Sequence, residues 1–226
     1  MTTPSSDLRN SGQRPAKTGR SDSLVVDPRD PSPIVRAAKV MARPMFFLLV
    51  SWRLALYRLM SAIGDKEAAF AAASESIAMI PGVRGVYSRQ AFYRATLAAC
   101  GENVYFGWQT VLSKSNARIG EGAYLGRRCS LGMVDIGSST MLADGVQILS
   151  GGAQHEHEPG DARPYKDRPQ TFRRVRIGEN AWIGTNAIVM ADVGDSTIIG
   201  AGAVVTRPIP ARSLATGVPA KVQRNL

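Results

Sequence analysis

The stretch Ile177–Met190, "IGENAWIGTNAIVM", decides how the second half of this 226-residue chain is read. Ile177, Ile183 and Val189 stand six residues apart, and Gly178, Gly184 and Met190 follow them. Four places after each aliphatic residue comes a small or β-branched one: Ala181, Ala187 and Val193. A period of six matches neither the 3.6-residue turn of a helix nor the two-residue alternation of a long strand. It suits one side of a prism, a short strand followed by a turn, with three sides to a coil.

The same spelling extends in both directions. Ile119, Leu125, Ile136, Leu142 and Ile199 are further aliphatic starters, followed by Gly120, Gly126, Gly137, Ala143 and Gly200. Their fourth-place residues are Ala123, Cys129, Thr140, Val146 and Ala203. A starter pointing into the prism is stabilised by burial at about 25 cal/mol per Å². The fourth-place residue is small because the core narrows there, which makes Cys129 a core filler. The glycine after the starter is expected to ease the bend, since glycine tolerates backbone angles that other residues resist. Cys100 stands just before the repeats and shows no reactive-thiol signal.

These segments, with "IIGAGAVVTRPIPARSLATGVPAKV" further on, resemble the hexapeptide-repeat acyltransferases. The resemblance covers residues 101–226. It implies a mainly β chain: a left-handed parallel β-helix preceded by an α-helical N-terminal region. It also implies a homotrimer with active sites between subunits.

The register breaks in three places. Leu131 to Ile136 is one residue short, and Val189 to Ile199 is ten residues rather than twelve. Between Ile148 and Ile177 the period vanishes, leaving a loop over residues 150–175. A long unpatterned loop on a rigid scaffold is a usual place for function. It carries His155 and His157, the only histidines in the chain, within "GGAQHEHEPGD".

"GGAQH" is similar to the "NGANH" stretch of xenobiotic acetyltransferases, whose catalytic histidine matches His155. The resemblance implies a general base that takes a proton from an acceptor hydroxyl, which then attacks the thioester of acetyl-CoA. Imidazole titrates near neutrality and suits that task. Gly151 and Gln154 stand where the family has asparagine, and His157 is the alternative base. A metal site is the rival reading, but a catalytic zinc wants three protein ligands and the chain has two histidines, so no metal is expected.

"AWIGTNAIV" and the C-terminal segment resemble the coenzyme A contact segments of galactoside- and maltose-type acetyltransferases. The resemblance puts Trp182 and Thr185 along the pantetheine arm, has Ala201 hydrogen-bond the arm's amides through its backbone, and counts Gly184 among the cofactor-binding residues. Thr206 and Arg207 then lie further along the groove, and Lys221 and Arg224 meet the phosphates. Arg207 replaces the family's more frequent lysine, which keeps charge but changes geometry. "RPYKDRPQTFRRVR" reads either as a basic lip for an anionic acceptor or as a solvated loop.

The N-terminal half is the basic one. Residues 1–100 carry 14 Lys+Arg against 7 Asp+Glu, and residues 101–226 carry 14 against 11. Such a surface suits a phospholipid face or a polyanion. No zinc-finger spacing or RNA-binding aromatic motif is present, so no nucleic acid is expected. Residues 1–32 are polar and are expected to stay disordered; residues 33–100 read as helical. "PMFFLLVSWRLALYRLMSAIG", Pro44–Gly64, is long enough to span a bilayer, but Arg53 and Arg58 would each cost roughly 2.5–3.5 kcal/mol there. A buried helix or one lying in a membrane interface fits better. Asp65–Ile80 and Arg89–Ala99 are expected as further helices. The absence of an apolar leader and of a cysteine framework points to a cytoplasmic protein, with peripheral contact to the inner face of the membrane left open.

The expected activity is acetyl transfer from acetyl-CoA to a hydroxyl of a sugar or glycan in polysaccharide assembly. Xenobiotic or amino-sugar acetylation is the alternative, and a non-catalytic β-helical trimer is the reading from another class.

Overall fold

The structure, a computed structural model, describes residues 50–152 and 170–226. The expectations for residues 1–32 and 33–49, and for both histidines, lie outside those residues.

Three helices come first: α1 over residues 50–63, α2 (Lys66–Ala78) and α3 (Gly82–Thr96). Asp65 caps α2, its carboxylate accepting from the backbone of Glu67 at 2.8 Å and Ala68 at 3.4 Å. This satisfies orphan donors of the first turn. The third helix begins seven residues earlier than expected, immediately after Pro81. Pro81-Gly82 reads as the end of the preceding helix, and Gly85 is where α3 crosses the end of α2. A Cβ at Gly85 would meet the Ile80 carbonyl oxygen at 1.8 Å. The buried Arg89 guanidinium fills the crossing. It donates to Ile80 O at 2.8 Å and Ala78 O at 3.4 Å, and through Nε to Phe106 O at 3.0 Å. Burial holds its pKa below the usual range, with Tyr93 and Tyr105 opposing that shift.

The rest is a parallel β-helix with three faces. The first sheet holds β1 (Ala99–Cys100), β4 (Arg118–Ile119), β7 (Val134–Ile136) and β10 (Val175–Ile177). The second holds β2 (Tyr105–Phe106), β5 (Tyr124–Leu125), β8 (Met141–Leu142), β11 (Trp182–Ile183), β13 (Ile198–Ile199), β15 (Ser213–Thr216) and β16 (Lys221–Asn225). The third holds β3 (Val111–Leu112), β6 (Ser130–Leu131), β9 (Gln147–Ile148), β12 (Ile188–Val189) and β14 (Val204–Val205). Every pairing is parallel except β15 with β16.

All eight starters and all eight fourth-place residues are buried. Fourth-place threonines also join coils: Thr140 Oγ1 donates to Gly178 O at 2.6 Å and accepts from Ala181 N at 3.1 Å. Two assignments change. Cys100 is the first coil's starter, in register with Ile119, so the β-helix begins at Ala99. Val193 is also a starter, since it bridges Ile177 and Ile209 on the first face. It occupies this slot because the coil reaches the first face after four residues rather than six.

The glycine after a starter has a different cause from the one expected. At Gly120 a Cβ would lie 2.5 Å from Ser138 N, and at Gly184 it would lie 2.5 Å from Ala201 N. Coils stack about 4.8 Å apart, the spacing of paired strands, which leaves no space there for a side chain. The left-handed backbone sits instead two residues later, three past the starter. Asn103, Gln109, Arg128, Ser139, Asn180, Asn186, Ser196 and Arg212 all have positive φ, as do Gly122, Gly145 and Gly202. These residues turn the first corner, from first to second sheet, and the second corner, from second to third.

The helices are pinned to the first coils. Tyr93 Oη donates to Thr110 O at 3.3 Å and lies 2.8 Å from Ser74 Oγ, which accepts from Leu112 N at 2.9 Å. Burial pushes the Tyr93 hydroxyl up to about 12, against the pull of its Ser74 hydrogen bond. Glu67 accepts from Ser115 N and Oγ at 2.8 and 2.6 Å. Among the described residues no helix is long and apolar enough to cross a membrane.

Candidate active site

The long segment leaves the scaffold after β9 and returns at β10, at the corner between the third and first faces. Its two ends meet: Arg173 N donates to Ser150 O at 2.8 Å. The backbone turns out at Gly151, whose φ is +91°. A Cβ there would approach the Arg173 Cβ to 3.0 Å. Ser150 is buried, its Oγ accepting from Met133 N at 2.8 Å. His155 and His157 lie outside the described residues.

A recess of about 180 Å³ opens at this foot. Ser113, Lys114, Ser130, Gln147, Ser150 and Phe172 line it, with Gly132, Ile148 and Leu149. Lys114 Nζ stands 4.2 Å over the Phe172 ring. Hydroxyl and amide groups with one cation and one aromatic ring can hydrogen-bond and stack a small polyhydroxylated molecule. Ser130 and Gln147 were missed in the sequence because they precede starters. That position faces outward on every strand, and the repeat pattern says nothing about it.

Arg173 and Arg174, just before the returning strand, are not free to form a lip. Arg173 Nη2 pairs with Asp192 at 2.8 Å, and Arg174 Nη1 pairs with Asp135 at 2.6 Å while also donating to Asn116 O at 2.9 Å. They fasten the end of the segment to neighbouring coils. Arg163, Lys166 and Arg168 lie outside the described residues.

The residues assigned to coenzyme A fall in three places. Trp182 is half exposed on the outer surface of the second face. Thr185 and Ala201 are exposed at the second corner on adjacent coils, where Thr185 O accepts from Gly202 N at 2.8 Å; Gly184 is buried there against the next coil. Thr206 and Arg207 are exposed beyond β14, at the third corner.

Lys221 and Arg224 join Trp182 through a break in register. On a regular strand, residues three apart point to opposite faces. Here Thr216 pairs with Lys221 and Leu214 with Arg224, with a bulge between Leu214 and Ala215. Leu214 and Thr216 face outward, so both basic residues come to the same outer surface. Register then links Arg224 to Leu214, Ile198 and Trp182 across three strand spacings, or about 14 Å.

That outer row continues as Met141, Tyr124 and Tyr105, with the two tyrosine rings stacked at 4.7 Å. Burial pushes the Tyr124 hydroxyl up, with Tyr105 adding to the shift. Away from β16 the outer row of the second face is therefore aromatic and aliphatic, whereas the first face carries Arg118, Asp135 and Arg176. Among the described residues no group of three His, Cys, Asp or Glu stands together to hold a metal ion.

Residues 174–207 match the family model described as bacterial transferase hexapeptide (six repeats). The chain is 31% identical over 154 residues to the galactoside O-acetyltransferase of Escherichia coli K12, covering 62% of this chain and 70% of that protein. In fold it is similar to a maltose O-acetyltransferase from Clostridium difficile 630, with a TM-score of 0.61, 23% identity, and coverage of 73% of this chain and 90% of that one. It is also similar to a galactoside acetyltransferase in complex with coenzyme A, with a TM-score of 0.51, 21% identity, and coverage of 72% and 83%. The repeats, the coil-by-coil register and a relative matched over more than two thirds of its length agree: this chain belongs to the hexapeptide-repeat acetyltransferases.

Proposed function

We propose that this acetyltransferase moves the acetyl group of acetyl-CoA to a hydroxyl of a sugar or glycan, with His155 as general base, in a homotrimer whose sites lie between subunits. The hydroxyl-lined recess at the foot of the histidine-bearing segment carries this reading. It offers polar groups suited to a sugar, and its Ser150 stands five residues before His155 in the sequence. The galactoside and maltose acceptors named for the relatives agree with it, and the coenzyme A complex of one neighbour supports the co-substrate.

In this reading the His155 imidazole takes the acceptor's hydroxyl proton. The oxygen attacks the thioester carbonyl, the carbon–sulfur bond breaks, and coenzyme A leaves as the thiol with a proton returned from the imidazole. The acetyl ester and free coenzyme A account for every atom. Trp182, Thr185 and Ala201 hold the pantetheine arm, Thr206 and Arg207 lie near the adenosine and pyrophosphate, and Lys221 and Arg224 meet the phosphates. The bulge that turns both basic residues to one surface supports that role. The apolar outer row of the second face supports subunit contact, because an exposed stripe of that kind is costly to leave in water.

The test is thiol release from acetyl-CoA with a panel of sugars, amino sugars and glycans. His155→Ala is expected to lower turnover by on the order of 10²–10⁴ while coenzyme A binding, read by calorimetry, is unchanged. Full activity in that variant would remove His155 as the base. Turnover confined to amine acceptors would replace the hydroxyl reading.

A further inference from the structure

The helix α1 is apolar on two sides, and only one is covered. Val50, Leu54 and Tyr57 are buried, with Tyr57 edge-on to Phe70 and Phe92 at 6.1 Å each. Trp52, Leu56, Leu59, Met60 and Ile63 stand at the opposite helical positions, and each is at least half exposed. Their spacing, i, i+4, i+7, i+8 and i+11, makes one continuous stripe. A helix apolar all round is ordinarily buried in protein or in lipid.

The charges around the stripe have one sign. At 3.6 residues per turn, Arg53 borders the stripe, while Arg58 lies about 145° from the stripe's centre, on the other side of the helix and nearer the buried face. The Arg53 guanidinium lies 4.3 Å over the Trp52 ring, and Arg58 is exposed. Between Asp30 and Asp65 the chain has five basic residues, Arg36, Lys39, Arg43, Arg53 and Arg58, and no acidic one. In the sequence, the five residues before Val50, Met45–Leu49, are all apolar.

We propose that the outer face of α1 docks in the headgroup region of an anionic phospholipid bilayer. The helix would lie in the plane of the surface, its stripe inserted, Arg53 at the phosphates and Arg58 adding attraction from further out. Charge complementarity selects this occupant. A second copy of α1 brings the same cations, so self-pairing would set like charges together. Residues 1–49 carry eight Lys+Arg against four Asp+Glu, so that segment also has the wrong sign to cover the stripe.

The full chain is floated with vesicles of phosphatidylcholine alone and of phosphatidylcholine mixed with phosphatidylglycerol. Binding to the mixed vesicles is expected, falling as salt screens the arginines. The combined variant Leu56→Ser, Leu59→Ser, Ile63→Ser should lose at least about tenfold in binding, with its melting temperature and solution mass unchanged. Arg58→Gln should lose about fivefold on the mixed vesicles and nothing on the neutral ones. The proposal falls if the wild type does not float with anionic vesicles, or if the serine variant floats equally well. A drop in solution mass in that variant would make the stripe an interface between copies. A lower melting temperature, with no vesicle binding by the wild type, would make it a seat for the chain's own residues. None of these readouts depends on His155 or on turnover.

Discussion

The first two corners of the β-helix and its third corner follow different rules. At the first and second, six residues separate one starter from the next in every coil, as from Ile119 to Leu125 to Leu131 or from Ile177 to Ile183 to Val189. A residue with positive φ sits three past most of these starters. At the third corner the spacing varies: seven from Leu112 to Ile119, five from Leu131 to Ile136, four from Val189 to Val193 and from Val205 to Ile209. Every register break seen in the sequence falls there. The long segment from Ile148 to Ile177 is the extreme case, and Gly151 at its foot is the one left-handed residue of that corner among those described. Two corners are locked by a repeated turn and hold the coils in step. The third is free to change length, and it carries the candidate site.

Three experiments break or sharpen that contrast. The largest effect is expected from inserting Gly-Ser between Arg127 and Arg128, at the second corner. This would displace Cys129 from its buried slot and cost more than about 3 kcal/mol in urea unfolding. The same insertion between Arg207 and Pro208, at the third corner, should cost less than about 1 kcal/mol, the scale of a slightly longer loop. Equal losses at both sites would erase the distinction.

The second effect concerns the thiol at the locked corner. Burial pushes Cys129 from 9.0 up to about 11, against hydrogen bonds from the Val146 backbone and Thr110. The folded chain thus holds this proton more tightly than the unfolded chain. The associated stability is fully present below pH 9 and is lost as pH rises through 11. Its size is of order 2 kcal/mol. Unfolding free energies measured across that window should fall less steeply for Cys129→Ala than for the wild type, and parallel slopes would contradict the assignment.

The smallest effect isolates the turn conformation. Gly202 has φ +67° and open space around its missing Cβ. Gly202→Ala should therefore cost about 1–2 kcal/mol from backbone strain alone. The same change at Gly120 adds a collision with the next coil and should cost more. Equal melting curves for these two variants would mean that stacking does not explain the glycine after the starter.

The six-residue period is a local code, and it was legible because each starter and each small fourth-place residue meets the same prism interior whichever coil it occupies. Residues as far apart as Ile119 and Ala203 were placed correctly on that basis, and Asp65 and Pro81 marked the start and the end of α2. Contacts between coils were not legible, since they depend on which backbone stacks on which. Gly120 owes its identity to Ser138, Val193 becomes a starter through Ile177 and Ile209, and Arg173 and Arg174 are held by Asp192 and Asp135. The sequence by itself determined a β-helix and singled out His155. Only the tertiary structure decided that a bulge turns Lys221 and Arg224 toward the surface of Trp182, and that Ser130 and Gln147 share a recess. Both depend on cross-strand register, which no residue sets alone.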